Sequence, residues 1–401
     1  MPPAMRHSSG YFALFICLGL DTSIVGPTLP ALATQTGSTV GEMGLVFFLG
    51  AVGVTFGTLL GGWLFDWAPG SVVLGVAEMV SAMLMLMVPH VPWFGLLIAL
   101  FVVKGVAGGV VGTGANTLLV WTHGGKAGPF LNSLHFFWGL GAFLSPFLLG
   151  LLITAGGVHS QAYLVLAVFD FSVGAAVLLY LHPPVAVRGE HADAATARAA
   201  GLLMVPIVMA AMLFLFFYVS SELTFAGWIY TYAVTLGLAD AAAAAYLTSL
   251  FWLAFTLGRL VSIPVAIRHS SAQILAAGIG GCAFFMVLLV LFPRSPAMLW
   301  VAVAGAGFSM APVWPTGYAL AVQSVRLTAR VSSVVMLGDS IGAMVLPGLT
   351  GLFMERAGAG AMTLLILGGM AATFVAFVAI LIFRVRAVGD GQPADERAVS
   401  S

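Results

Sequence analysis

The chain has 401 residues, of which 61% are hydrophobic and only 7% charged, and its formal net charge is zero. A soluble domain carries about 25% charged residues, so this composition excludes a soluble enzyme or binding module and implies a polytopic membrane protein. Nothing in the charge balance points to nucleic acid. Cys17 and Cys282 both lie in apolar runs, so no disulfide framework or metal site is expected.

Twelve apolar segments follow one another, at roughly 11–33, 41–65, 71–89, 92–121, 128–155, 160–182, 202–236, 241–267, 271–292, 297–324, 331–354 and 360–383. The first resembles a cleavable signal at Ala31-Leu32-Ala33, but it is too long for a signal core and contains Asp21, so a retained helix is expected. Connections are short except for a polar stretch with Arg188, Glu190, Asp193 and Arg198, which Pro183-Pro184 introduces. The expected organisation is a six-helix bundle over 1–182, a cytoplasmic linker over 183–201, a second six-helix bundle over 202–386 and a disordered cytoplasmic tail over 387–401. Of the basic residues outside the helices, ten fall on the side that carries both termini: Arg6, Lys126, Arg188, Arg198, Arg268, Arg326, Arg330, Arg384, Arg386 and Arg397. Arg294 and Arg356 fall on the other side. This asymmetry predicts that both termini are cytoplasmic.

The halves echo each other. A shift of 201 residues carries Asp21 onto Glu222 and Gly26 onto Gly227. It also carries Thr55-Phe-Gly57-Thr-Leu59 onto Thr256-Leu-Gly258-Arg-Leu260, and Gly141-Ala142…Pro146…Gly150 onto Gly342-Ala343…Pro347…Gly351. Three matches at one shift read as an internal duplication, and repeated halves around a central site are the plan of a secondary transporter.

Seven charges are embedded in the apolar segments: Asp21, Glu78, Lys104, Asp170, Glu222, Arg259 and Asp339. A charge at mid-membrane costs about 2.5–3.5 kcal/mol on insertion scales, so each needs a partner, a cavity or a proton. Glu222, within Tyr218-Val-Ser-Ser-Glu222-Leu-Thr-Phe-Ala-Gly-Trp228-Ile-Tyr-Thr-Tyr232, is read as a functional carboxylate; the bland alternative is a protonated Glu bonded to a neighbouring helix. Five acids against two bases leave three carboxylates uncompensated, which favours binding of protons or cations. Lys104 and Asp21 sit at similar depth and are expected to pair, with Glu78 as the rival partner. Glu222 is then the titrating carrier, and both Asp21 and Glu222 are expected to face one shared aqueous chamber. Arg259 either pairs with Asp339 or faces Asn132 and His135 in a cytoplasmic gate. Asp170 has no evident polar company.

Trp138, Trp228, Trp252 and Trp314 supply aromatic faces that suit the apolar C–H faces of a sugar ring. An interfacial belt is the alternative, and it is the expected place for Trp93, Trp121 and Trp300. Pro312 and Pro315 around Trp314 free backbone carbonyls that can line a cavity. Asn116, in Gly112-Thr-Gly-Ala-Asn116-Thr, offers an amide, and His135 is either a site residue or a core histidine. Gly338-Asp-Ser340-Ile-Gly342 fits a hydrolase pattern, but that motif needs a strand-to-helix turn and here lies within an apolar helix.

Gly62-Trp-Leu-Phe-Asp66-Trp-Ala-Pro-Gly70 resembles the G-x-x-x-D-x-x-x-G signature of the major facilitator superfamily, and the likeness extends over the whole chain. Within that superfamily, the sodium-dependent glucose transporter and fucose permease branch is similar in several stretches. These are Leu134-His-Phe-Phe-Trp-Gly-Leu-Gly-Ala-Phe-Leu-Ser-Pro146, Glu222 to Tyr232, Tyr246 to Arg259, Pro312 to Ala321 and Gly338 to Pro347. The resemblance implies twelve transmembrane helices in two pseudo-symmetric bundles, alternating access, and symport of a hexose-type solute with H⁺ or Na⁺. Asn116, His135, Trp138, Glu222, Trp228, Trp252 and Trp314 are the expected solute contacts. Asp21, Lys104 and Glu222 are expected to couple the cation, and Asp66, Arg259, Arg330 and Asp339 to gate. The expected setting is the plasma membrane, as a monomer, with no catalysis and no cofactor beyond the coupling ion. The alternative function is proton-coupled export of amphipathic compounds or lipids.

Overall fold

The structure is a computed structural model that describes residues 3–180, 205–323 and 329–389. The expected linker over 183–201 lies outside the described residues, as does the tail beyond 389. Among the described residues every regular element is a helix. In order they are α1 (Pro3–Ser23), α2 (Val25–Thr36), α3 (Val40–Trp67), α4 (Gly70–Met87), α5 (Phe94–His123), α6 (Ala127–Thr154) and α7 (His159–Tyr180) in the first half. The second half holds α8 (Pro206–Thr235), α9 (Ala241–Arg268), α10 (Ser271–Leu291), α11 (Pro296–Met310), α12 (Val313–Gln323), α13 (Ala329–Ala357) and α14 (Ala361–Gly389). The last helix runs three residues past the expected end at 386.

Two spans are broken, and each break has a local cause. α1 and α2 form one span bent by 47° at Ile24. Pro27 has no N–H for the Ser23 carbonyl, and the Thr22 and Ser23 hydroxyls bond back to Leu18 and Gly19, a combination that bends helices. α11 and α12 form the tenth span, interrupted at Ala311-Pro312, where Pro312 and Pro315 deprive the Phe308 and Ala311 carbonyls of donors. The apolar run Phe94–Thr154 is 61 residues long, far more than one crossing requires. Gly124, at φ 53°, turns the chain between α5 and α6 and divides the run into two spans. The sum among the described residues is twelve crossings.

The duplication seen in the sequence is also one of helix boundaries. α3, α4, α5, α6 and α7 begin at 40, 70, 94, 127 and 159, and their counterparts begin 201 or 202 residues later, at 241, 271, 296, 329 and 361. The caps repeat as well. Thr39 accepts from the Glu42 N–H in a capping box, and Asp240, 201 residues on, accepts from the Ala243 N–H.

The two halves meet at the end of the molecule opposite the termini. There Gly26 of α2 packs on Gly227 of α8, and Gly44 of α3 packs on Gly348 of α13; a methyl on Gly26 or Gly44 would strike the facing carbonyl oxygen. Tyr246 of α9 fills the space beside Gly150 of α6, and the Ser249 hydroxyl donates to the Phe143 carbonyl across the same seam at 2.9 Å. The Gly41 N–H donates to Glu355 at 2.7 Å. Small residues allow backbones this close, and lipid supplies no hydrophobic drive that would otherwise hold them. Toward the terminal end, Tyr11, Leu14, Phe15, Leu74, Val111 and Leu134 form a core cluster drawn only from the first half. The halves therefore join at one end and part at the other, leaving a cleft that opens on the side of the termini.

Gly44→Val is expected to hold the seam apart, because overpacking of this kind costs about 1–3 kcal/mol. A cysteine placed at Phe47 should then react faster with a membrane-impermeant thiol reagent added on the side opposite the termini.

Candidate functional site

The cleft narrows where α6 meets α9. Trp138 and Trp252 stand edge to face there, with ring centroids 5.0 Å apart at 86°, and a methyl on Gly139 would strike the Thr256 hydroxyl. Trp252 is buried, yet its indole N–H has no acceptor among the described residues. Such an orphan donor is costly unless something accepts from it. One turn nearer the terminal end, His135 and Asn132 are exposed. The His135 ring lies edge-on to Phe15 of α1 at 5.7 Å, and its exposure removes the reading of a core histidine.

Arg259 of α9 lies over the Phe255 ring at 4.5 Å, and its Nε has no partner among the described residues. It is close enough to act electrostatically on Glu222 of α8 and on His135. Of the two expectations for Arg259, the geometry supports the one that faces His135. Asp339 is held instead by Trp314, whose indole N–H donates to its Oδ1 at 2.7 Å. Trp314 stacks on Tyr318 at 5.5 Å, and the Tyr318 and Ser332 hydroxyls hydrogen-bond at 2.7 Å. This chain of contacts ties α12 to α13 beside the break at Pro312.

Three further residues have local roles. Trp228 is fully buried, donates to the Pro347 carbonyl at 2.9 Å and packs on Phe47 across the seam, so it closes the far end rather than facing the cleft. Asn116, half-buried on α5, donates one amide hydrogen to the Gly112 carbonyl of its own helix at 2.8 Å. The side chains of Asp66 and Arg330 lie outside what is described. Trp93 and Trp121 are exposed near helix ends, where a belt belongs, whereas Trp300, expected with them, is partly buried and packs against the core.

The first half holds a second polar centre. Lys104 of α5 forms an ion pair with Asp21 of α1, as expected, and the Ser81 hydroxyl of α4 donates to the same Asp21 oxygen at 2.7 Å. Asp21 and Glu222 are each 8% exposed. The expectation from the sequence puts both in one chamber, but among the described residues the side-chain partners of Asp21 come from its own half. Asp21 therefore points back into the first bundle, while Glu222 stands near Arg259 of α9. Asp170, for which the sequence suggests no company, is fully buried beside Cys17 and Glu78. Ser81 and Cys17 escape the sequence reading. Their signal is spacing: Cys17 precedes Asp21 by one helical turn, and Ser81 follows Glu78 by three residues, so each shares a face with an acid.

These features define a two-bundle helical membrane fold. Residues 11–334 match the family model of the Major Facilitator Superfamily, and the chain belongs to that superfamily. Among characterised relatives it is similar to Sodium-dependent glucose transporter 1A of Mus musculus, 30% identical over 85% of this chain and 88% of the relative. It is also similar to Sodium-dependent glucose transporter 1 of Homo sapiens, 28% identical over 86% of this chain and 73% of that one. Among solved structures, the nucleoside transporter NupG superposes with a TM-score of 0.74 at 13% identity, over 96% of this chain and 99% of the other. A D-xylose-proton symporter superposes with a TM-score of 0.70 at 13% identity, over 92% of this chain and 96% of the other. At such identities these structures speak for the fold alone. The chain is a multi-pass membrane protein of a transporter superfamily.

Removing one member of a buried ion pair leaves the other charge uncompensated, at about 3–5 kcal/mol. Lys104→Met should therefore lower the thermal midpoint of the purified protein sharply. Adding Asp21→Asn to that variant should restore most of the loss.

Proposed function

We propose that the chain is a secondary active transporter that carries a hexose-type sugar in symport with H⁺ or Na⁺. The observation that carries this reading is the unpartnered Trp252 indole N–H, set against the Trp138 ring at the closed end of the cleft. A pyranose has an apolar face to lay on an indole and hydroxyls to accept from an N–H, so one solute meets both demands. His135, Asn116 and Glu222 would supply the remaining polar contacts, with Trp314 positioning Asp339 at the broken tenth span. Trp228 would act indirectly, by holding the far-end seam. The similarity to proteins named as sodium-dependent glucose transporters supports a sugar and a cation.

In this mechanism the cleft open toward the termini is one of two states. Solute and cation must bind the two states with different affinities in order to shift their balance. Glu222, within reach of Arg259, would sense the cation, and the Asp21–Lys104 pair would couple α1 to α5 as the bundles rock. Asp66, Arg259 and Arg330 would guard the terminal end. We place the protein in the plasma membrane as a monomer with both termini cytoplasmic, on the strength of the Lys and Arg asymmetry. No catalytic step and no cofactor beyond the coupling ion is involved.

The test is counterflow in proteoliposomes with a sugar panel, under separate pH and sodium gradients. A hexose should exchange, and Glu222→Gln should keep exchange while losing gradient-driven accumulation. Exchange confined to amphipathic compounds would favour the exporter reading. Trp252→Phe removes a donor that has no partner in the ligand-free protein. It should leave the thermal midpoint nearly unchanged while weakening sugar binding by about tenfold, the worth of one hydrogen bond.

A further inference from the structure

We propose that the first bundle contains a sodium site made by Asp170 and Glu78, separate from the cleft and beside the Asp21–Lys104 pair. The starting point is an excess of unpaired oxygens in a dry place. Asp170 is 0% exposed and Glu78 is 1% exposed. Both Asp170 oxygens, the Glu78 Oε1 and the Asp21 Oδ1 have no hydrogen-bond partner among the described residues. The Cys17 sulfur and carboxylate oxygens of Glu78 and Asp170 lie within 4.8 Å of one another, so the side chains from α1, α4 and α7 are aimed at one point. The Asp21 carboxylate acts electrostatically on both other acids.

Charge and ligand type narrow the occupant. Lys104 neutralises one of the three carboxylates, which leaves two without a countercharge. One proton shared between two carboxylates would occupy two oxygens and leave a third unpaired. A hard cation takes several oxygens at once, and Asp170 and Glu78 offer three unpartnered ones here. A divalent ion held by two carboxylates in low dielectric would bind too tightly to leave again, because charge attraction there is many times that in water; a transported ion has to be released. The Cys17 thiol is a soft neighbour rather than a preferred ligand for such an ion. The remaining charged or titratable groups near this point are Lys104 of α5 and, two turns from Asp170, Tyr163 of α7, whose hydroxyl is engaged with Thr28 at 2.8 Å.

The location gives the site a function. It joins α1, α4 and α7 to α5 through Asp21, whose other oxygen holds Lys104 and Ser81. Sodium there would lock α1 against the outer helices of its bundle. α1 leads through the bend at Ile24 into α2, which packs on α8 at Gly26 and Gly227. Occupancy would thus be felt at the seam between the halves. This deepens the coupled-transport reading, and it is tested by binding without flux, so it stands or falls apart from the identity of the solute.

The experiment is thermal unfolding of the purified full-length protein, with no sugar, in NaCl, KCl or choline chloride at equal ionic strength. Sodium should raise the midpoint in the wild type, and should fail to do so in Asp170→Asn and Glu78→Gln. Binding of radioactive sodium to the wild type, competed by unlabelled sodium but not potassium, keeps the proposal testable if either neutral variant does not fold. Cys17→Ser, which replaces sulfur by a harder oxygen, should retain or strengthen the sodium shift. Equal shifts in all three salts, a sodium shift that survives Asp170→Asn, or absence of competable sodium binding would overturn the proposal. So would a stabilisation that follows acidification and Asp170 but ignores sodium, which would make a proton the occupant, or one produced by magnesium or calcium alone.

Discussion

Charge in a low-dielectric interior has to be neutralised where it sits, and the Asp21–Lys104 pair is where the first bundle meets that requirement. The pair links the first and fourth spans, and Ser81 brings in the third through the same oxygen. With one Asp21 oxygen committed in this way, the other is left without a hydrogen-bond partner among the described residues. The second bundle solves the equivalent problem differently. Glu222 has no lysine beside it among the described residues; its nearby positive charge is Arg259, on a helix that lines the cleft. Two acids at matching positions of the halves have come to serve different environments, one paired with a lysine of its own bundle and one near an arginine.

The seam between the halves rests on a different constraint, the distance at which two backbones can pass. Gly26 on Gly227 and Gly44 on Gly348 let helices meet at the carbonyl groups themselves, where a side chain would hold them apart. Tyr246 against Gly150 puts a large ring into the space left by a missing side chain, and Trp228 packs on Phe47 across the seam. These contacts are numerous at one end of the molecule and give way to an exposed His135 and Asn132 at the other. A joint made of close but small contacts can come apart without first dismantling either bundle.

Much of this was legible in the chain. Period and length gave the twelve crossings, since each must span the same apolar thickness. The shift of 201 residues recurred in the helix starts and even in the caps Thr39 and Asp240. The Lys104–Asp21 pair followed from matched depth, because a buried base has few alternatives to a nearby acid. The partner of Asp339 was not legible in this way. Trp314 reached it across the break at Pro312, and a helix break redirects every side chain after it. Trp228 looked like a cleft residue by type, but the rotation of α8 about its axis turned it onto Pro347 and Phe47.

The sequence by itself determined which residues lie within the membrane, how many times the chain crosses and that its halves are copies. These are properties of local hydrophobicity and spacing, and they do not depend on what packs against what. Only the tertiary structure decided which acids share a neighbourhood. Asp170, Glu78 and Cys17 stand far apart along the chain, on the sixth, third and first spans, and no periodicity within one helix records the rotational setting of another. That setting is fixed by interhelical packing, and it alone turned an isolated aspartate into part of a cluster.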